Sequence, residues 1–504
     1  MLAGSGGRRH SKVEGARSLP TTMSPMHRLL PALILLIGCA PNVRDPAATL
    51  ADQSASLRHH RVAIGQLEAT PRDDAAAIDA LQGLIYRPGY ELDVRRRGLQ
   101  QLFELDRARL VRTCRQRLPR ITDKPWLRVL CTWIGEQAWT QAEQTTLEEA
   151  LCSSWGRPWT GSLPETQRPE FVALRMFVGE RNLIDLVWAQ LLTHDKPSQE
   201  AFRHRCWDLL HRLGARAKLV EWIQAVDPNT ETNLMLIDLH AAAVAFGTVP
   251  WNREEILWLR KLREPERRAF WSKAAAACAH MPKDRRQGLR IRDLPTAVAA
   301  MRHRPDLAGG HVQSMVAALD ERLAGVQHYR DDDAYYKDGI FVSEKLETHA
   351  QDLAWGDAVA LTLVLDALDL RPVVEHLFDY ADRDNADTTT EYGGILSLDG
   401  KGRYEILEFK PRVRHHDLRF NAPQEMFDAG YTGLFHFHFH ATSHRNSEHA
   451  GPGFGDLQYA DGTRANCLVM SFVDEDTLNV DWYRHDGVVV DLGCVRRPPR
   501  RIGR

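Results

Sequence analysis

Between Ala76 and Gln327 the apolar residues return at intervals of three and four. Leu99, Leu102, Phe103 and Leu110 make one such stripe, Leu127, Leu130 and Trp133 a second, and Leu183, Leu186, Val187 and Leu191 a third. A helix turns once in about 3.6 residues, so this spacing gathers the apolar side chains on one face and predicts a succession of amphipathic helices. Polar stretches such as "RPWTGSLPETQRP" and "VDPNTETN" separate them. Two segments, "RRGLQQLFELDRARLV" from Arg96 and "HRCWDLLHRLGARAKLV" from His204, match at an offset of 108 residues, the length of three helical hairpins of about 36 residues. Region 76–327 is therefore expected to be all-α, either a solenoid of the HEAT or tetratricopeptide type or a non-repeating bundle.

Downstream the period changes. The charged, aromatic stretch "HYRDDDAYYKDGIFVSEK" (328–345) closes the helical part, two helices are predicted from Leu353 to Leu368 and from Pro372 to Tyr380, and "ADRDNADTTT" reads as a polar turn. After it, "EYGGILSLD", "RYEILEFKPRV", "GLFHFHFHA", "ANCLVMSFV", "LNVDWYR" and "GVVVDLG" alternate at period 2 and read as six strands, with a short helix near Gln424 to Ala429. The layout is multidomain: an N-terminal all-α part, then an α/β or α+β domain over 345–496. Residues 39–75, polar with scattered prolines, read as a tether, and 497–504 as a basic tail without fixed structure.

Charge excludes little. Lys and Arg total 65 against 67 Asp and Glu, so nothing in the bulk balance points to nucleic acid. The cysteines other than Cys39 are Cys114, Cys131, Cys152, Cys206, Cys278, Cys467 and Cys494, with no C-x-x-C pair, which argues against a cysteine zinc site or a thioredoxin-like redox motif. Buried thiols are expected. The N-terminus is more specific: from Met26, "MHRLLPALILLIGCAPN" has one Arg, an apolar run too short to span a bilayer, and then Cys39. It resembles the lipobox of bacterial lipoproteins. That resemblance implies a signal peptide over 1–38, with Met1 and Met26 as alternative starts, lipidation of Cys39, and export to the cell envelope. Ala40 after the cysteine implies an outer-membrane address.

The stretch with most chemistry is "GLFHFHFHATSH" (433–444). In a strand, alternate side chains share a face, so His436, His438 and His440 lie on one side and Phe435, Phe437 and Phe439 on the other. Two histidines at H-x-H spacing, with Cα atoms about 6.6 Å apart, can converge on one ion; the outer pair is about 13 Å apart along a straight strand, too far for all three to join easily. His436 is a further candidate for the site. A third ligand is expected from Asp456, which follows the Gly- and Pro-rich "SEHAGPGFGDLQYA". Three protein ligands leave a fourth zinc position for a water whose pKa falls to about 7. Glu391, at the head of the first strand, is the candidate general base.

These residues resemble the JAMM motif of the JAB/MPN metallopeptidases: Glu391-x-x-Gly394, then His438-x-His440, then Asp456 after "AGPGFG". The resemblance covers the last third of the chain. It implies a mixed-sheet JAB/MPN-like fold, zinc held by His438, His440 and Asp456, Glu391 as general acid-base, and cleavage of amide or isopeptide bonds in a peptide or protein. Three positions depart from the motif. Gly453 stands where the family has a carbonyl-polarising serine, Ala441 replaces a proline, and fifteen residues separate His440 from Asp456. Ser443 and Ser447 lie in that longer loop. An inactive JAB-like scaffold or protein-interaction lipoprotein is the alternative function, and the helical part would select a protein partner. Gly451, Gly453 and Gly455 do not read as a nucleotide loop, because no helix signal follows them. His415 and His416 are expected at a strand end, away from zinc. "DRDNAD" lacks the glycine and distal glutamate of an EF-hand.

Overall fold

The computed structural model describes residues 42–159, 163–179, 182–329, 335–337, 340–411 and 420–499. Helices follow one another from Pro46–Ala51 to Val312–Leu323, so the N-terminal part is all-α, and a sheet of six strands lies at the C-terminal end. Among the described residues no helix is long and apolar enough to cross a membrane. All seven cysteines between Cys114 and Cys494 are free thiols, and six of them are buried.

The stretch read as a tether is folded over much of its length. Helices span Pro46–Ala51 and Leu57–Ala69, because Asp45 and Ser56 cap their first amides and Leu50, Ala63, Ile64 and Leu67 are buried. Few apolar positions sufficed, since neighbouring helices cover them. The two similar segments each break into a helix pair, Leu92–Leu105 with Arg107–Arg117 and Glu200–Arg212 with Arg216–Gln224. Within the closing stretch 328–345, two three-residue strands, β1 (Tyr335–Lys337) and β2 (Ile340–Val342), pair antiparallel.

The six-stranded sheet contains β3 (Gly393–Leu398), β4 (Tyr404–Phe409), β5 (Phe435–His440), β6 (Cys467–Asp474), β7 (Thr477–Arg484) and β8 (Val488–Arg496). Their order is β4-β3-β5-β6-β7-β8. Only β5 and β6 run parallel, which makes the sheet mixed and requires a crossover between them. The crossover carries the helix Phe454–Thr463, in a segment expected to be a glycine-rich loop. A helix start therefore does follow Gly453, whose glycines had masked it.

The phenylalanine side of β5 is sealed. Phe435, Phe437 and Phe439 are buried, and Tyr380 of the helix Arg371–Ala386 meets Phe439 edge-on at 5.6 Å while donating to the Gly393 carbonyl at 3.0 Å. That helix runs to Ala386 and absorbs most of the expected "ADRDNADTTT" turn. The helix Trp355–Leu368 is buried almost all round between Arg371–Ala386 and the helices Leu294–His303 and Val312–Leu323.

A buried polar cluster joins the helical part to the sheet. Arg292 donates to Asp357 and to Asn466, and Arg484 Nε lies 3.2 Å from Asp357 Oδ1. Burial opposes ionisation of Asp357, yet Arg292 and Arg484 hold its carboxyl below the usual range. Gly356 is required beside it, since a Cβ there would stand 2.3 Å from Asp293 Cγ. The start of the expected tail is also pinned: Arg497 pairs with Asp382 at 2.7 and 2.8 Å, and Arg371 donates to the Pro499 carbonyl at 2.6 Å. Residues 500–504, Cys39 with the N-terminal leader, and His415 and His416 lie outside the described residues.

Candidate metal centre

Backbone register aligns three of the predicted residues. In the β3/β5 ladder Gly393 faces His438, and Phe439 N donates to the Tyr392 carbonyl at 3.0 Å, so Glu391, which leads into β3, comes alongside His440. Residues directly opposed in an antiparallel pair share a face, which puts Glu391 on the histidine side of the sheet. Glu391 is buried and lines the same cavity of about 690 Å³ as His438, His440 and Asp456.

Asp456 arrives from the crossover. It is the third residue of the helix Phe454–Thr463, where its Oδ2 accepts from the Gly453 amide at 2.7 Å and closes the helix N-terminus. Its two oxygens face the two imidazoles: Oδ1 is 3.2 Å from His438 Nε2, and Oδ2 is 3.6 Å from His440 Nε2. Burial pushes the carboxyl up, but His438 and His440 outweigh it and hold Asp456 well below the ordinary carboxylate range.

The tautomer of His440 is fixed by its surroundings. Nδ1 lies 2.7 Å from the His449 carbonyl, which can only accept, so Nδ1 carries the proton and Nε2 is left with a lone pair. Nε2 of His440 is 3.2 Å from Nε2 of His438. Donors on a tetrahedral zinc with bonds of about 2.05 Å stand about 3.3 Å apart. The 3.2 Å between the two imidazole nitrogens matches that spacing, each imidazole has one Asp456 oxygen within 3.6 Å, and one ligand atom from each of the three residues lies within 4.8 Å of the others. His438, His440 and Asp456 thus form a cluster that could hold a metal ion, with two imidazole nitrogens and one carboxylate.

His436 is separated from this cluster. Its Nδ1 lies 2.7 Å from the Tyr459 hydroxyl and its ring packs on Gly430, where a Cβ would be 2.2 Å from Nε2. Burial pushes its imidazole down to about 4. The row of three histidines therefore divides into His436, engaged with Tyr459, and a pair that converges on Asp456. Ser443 and Ser447 do not line the cavity, and Gly453 serves as the helix N-cap.

Several contributors were not read from the sequence. Asn446 donates from Nδ2 to the His440 carbonyl at 3.0 Å and from its amide to the Phe472 carbonyl at 2.9 Å, which pins the long loop to the sheet. Ser471 Oγ donates to the same His449 carbonyl at 3.2 Å. Gly393 lets the Phe420 ring lie on β3 beside His438, because a Cβ would be 2.7 Å from Phe420 Cε1. Tyr459 sits three residues after Asp456, a spacing that places both on neighbouring parts of one helix face once the helix is known.

In comparisons with known proteins, no family model matches the chain, and no curated protein or solved structure matches it significantly.

Proposed function

We propose that the C-terminal part is a JAB/MPN-like zinc amidohydrolase or peptidase, carried by a lipoprotein anchored through Cys39 to the outer membrane of a bacterial envelope. The observation that carries this reading is the convergence of His438, His440 and Asp456 at ligand spacing beside a buried carboxylate, Glu391, on one wall of one cavity. Zinc in this position supplies Lewis acidity toward water and toward the amide carbonyl.

The chain's own groups do the rest. The His449 carbonyl takes the Nδ1 side of His440 and leaves Nε2 facing the cluster, and Asp456 provides a negative charge there. Glu391 takes a proton from the attacking water and returns it to the amide nitrogen as the C–N bond breaks, so water and amide become a carboxylic acid and an amine, which exchange the acid proton to leave a carboxylate and an ammonium. The sealed phenylalanine layer behind β5 keeps the histidines in one orientation. The helical part presents the peptide or protein partner.

A second reading has its own support: with Gly453 in place of the family's serine, one carbonyl-polarising hydroxyl is missing, and losing such a donor lowers the rate by about 100- to 1000-fold. An assembly module with a metal but without turnover fits that loss. The full chain separates the two. Zinc retained by Glu391→Gln with amide turnover abolished supports the hydrolase; zinc bound with no turnover by the unsubstituted chain supports the module; no zinc bound removes both.

A further inference from the structure

The cavity beside the ligand cluster has an apolar side that none of the chemistry above uses. Phe420 lies on β3 over Gly393, next to His438. Across the histidine strand, on the crossover helix, Phe454 begins the turn that carries Asp456 and is 50% exposed, an unusual state for a phenylalanine. Met426, 2% exposed, lies deeper, and Tyr459 and Tyr483 complete the wall. Burial holds both phenols well above their ordinary range, so they remain uncharged at any physiological pH. At about 690 Å³ the cavity is within the roughly 300–1,000 Å³ of small-molecule sites and has room for a side chain beyond the reacting bond.

An apolar ring left half in water at the edge of a polar cluster gains by being covered, and an occupant of the cavity that Phe454 lines would cover it. Continuity with the ligand cluster selects the occupant: Phe454 is two residues from Asp456, so the group that contacts it belongs to the molecule whose amide lies at His438 and His440.

We propose that Phe420, Met426 and Phe454 form a specificity subsite that takes a large apolar side chain adjoining the target amide, so that the substrates are amides of bulky hydrophobic residues. This rests on the hydrolase reading for its placement, but binding tests it separately. The probes are N-acetylphenylalaninamide and N-acetylglycinamide, titrated into the full chain carrying Glu391→Gln in the presence of zinc, so that neither is consumed. The phenylalanine amide binds at least about 10-fold more tightly, in keeping with the 10- to 200-fold that hydrophobic pockets give even a single methylene. Phe454→Ser removes most of that preference without changing zinc content or the affinity for the glycine amide, and Phe454→Leu keeps most of it. Equal affinities, a preference that survives Phe454→Ser, or no measurable binding of the phenylalanine amide at millimolar concentration overturns the subsite. Zinc content is measured on the same samples. Its absence would defeat the proposed function, while the comparison of the two amides would still report on the cleft.

Discussion

His440 Nδ1 and the carbonyl oxygen of His449 stand 2.7 Å apart, and this contact decides which nitrogen of His440 faces Asp456. Its partner is a backbone atom, so no side-chain substitution at 449 removes it, and its position depends on how the 441–450 loop is held.

Asn446 is the main hold. Asn446→Ala removes the bond to the His440 carbonyl and loosens the loop that carries His449, which keeps its backbone bond to Phe472 and the Ser471 bond, and zinc affinity falls about 10-fold, the low end for outer-shell partners of metal-bound histidines. Competition with a zinc-binding dye measures it. Unchanged affinity would mean that the loop holds itself.

The ligand set has a direct test in metal content. His438→Ala combined with His440→Ala leaves Asp456 as the only member of the cluster and brings bound zinc to background, whereas His436→Gln leaves zinc in place because His436 is engaged with Tyr459. Elemental analysis of the purified chain distinguishes the two outcomes.

Gly394 has no room for a side chain. A Cβ there would stand 2.2 Å from the Leu407 carbonyl and 2.7 Å from the Phe437 ring, so Gly394→Ala forces β3 away from β4 or from the phenylalanine layer. Overpacking of this kind costs about 1–3 kcal/mol and is read as a lower midpoint in chemical denaturation.

Acid acts on the helical part through His211. Burial first, and Arg216 second, push its imidazole down to about 3, whereas in the unfolded chain it titrates near 6.5. Above pH 6.5 the two states bind the same number of protons at this group. As the pH falls from 6.5 toward 3, the unfolded chain takes up a proton that the folded chain refuses, and stability drops by up to about 1.4 kcal/mol per pH unit. His211→Phe, which keeps a ring between Trp207 and Trp251, flattens that part of the profile in denaturation measured from pH 7 to 4.

Where the side chains alternate, the sequence was a sufficient guide. All six strands of the large sheet and the opposite faces of Phe437 and His438 follow from period 2, and the short helix at Gln424–Gly430 stands near its expected place. Elements whose stability comes from neighbours were harder to see. The helices at 46–51 and 57–69 have few apolar residues of their own and depend on caps and on burial against the next helices. The helix bearing Asp456 opens with Gly453, Phe454 and Gly455, weak helix formers, and owes its start to the Asp456 carboxylate closing on the Gly453 amide. Asp456 was therefore legible as a candidate ligand but not as part of a helix. Asn446 and Phe420 gave no signal, because their roles depend on a backbone carbonyl and on an absent Cβ.

The junction of Arg292, Asp357 and Arg484 bears on how the protein can be cut. A fragment starting near residue 345 would retain Asp357 and Arg484 but lose Arg292, and it would expose the flank of Trp355–Leu368 that now faces the preceding helices. Such a piece would have a greasy, charge-mismatched scar where the intact molecule has a seam. The portion bearing the histidines is therefore no detachable cassette, and whatever it acts on meets it with the helical portion already in place.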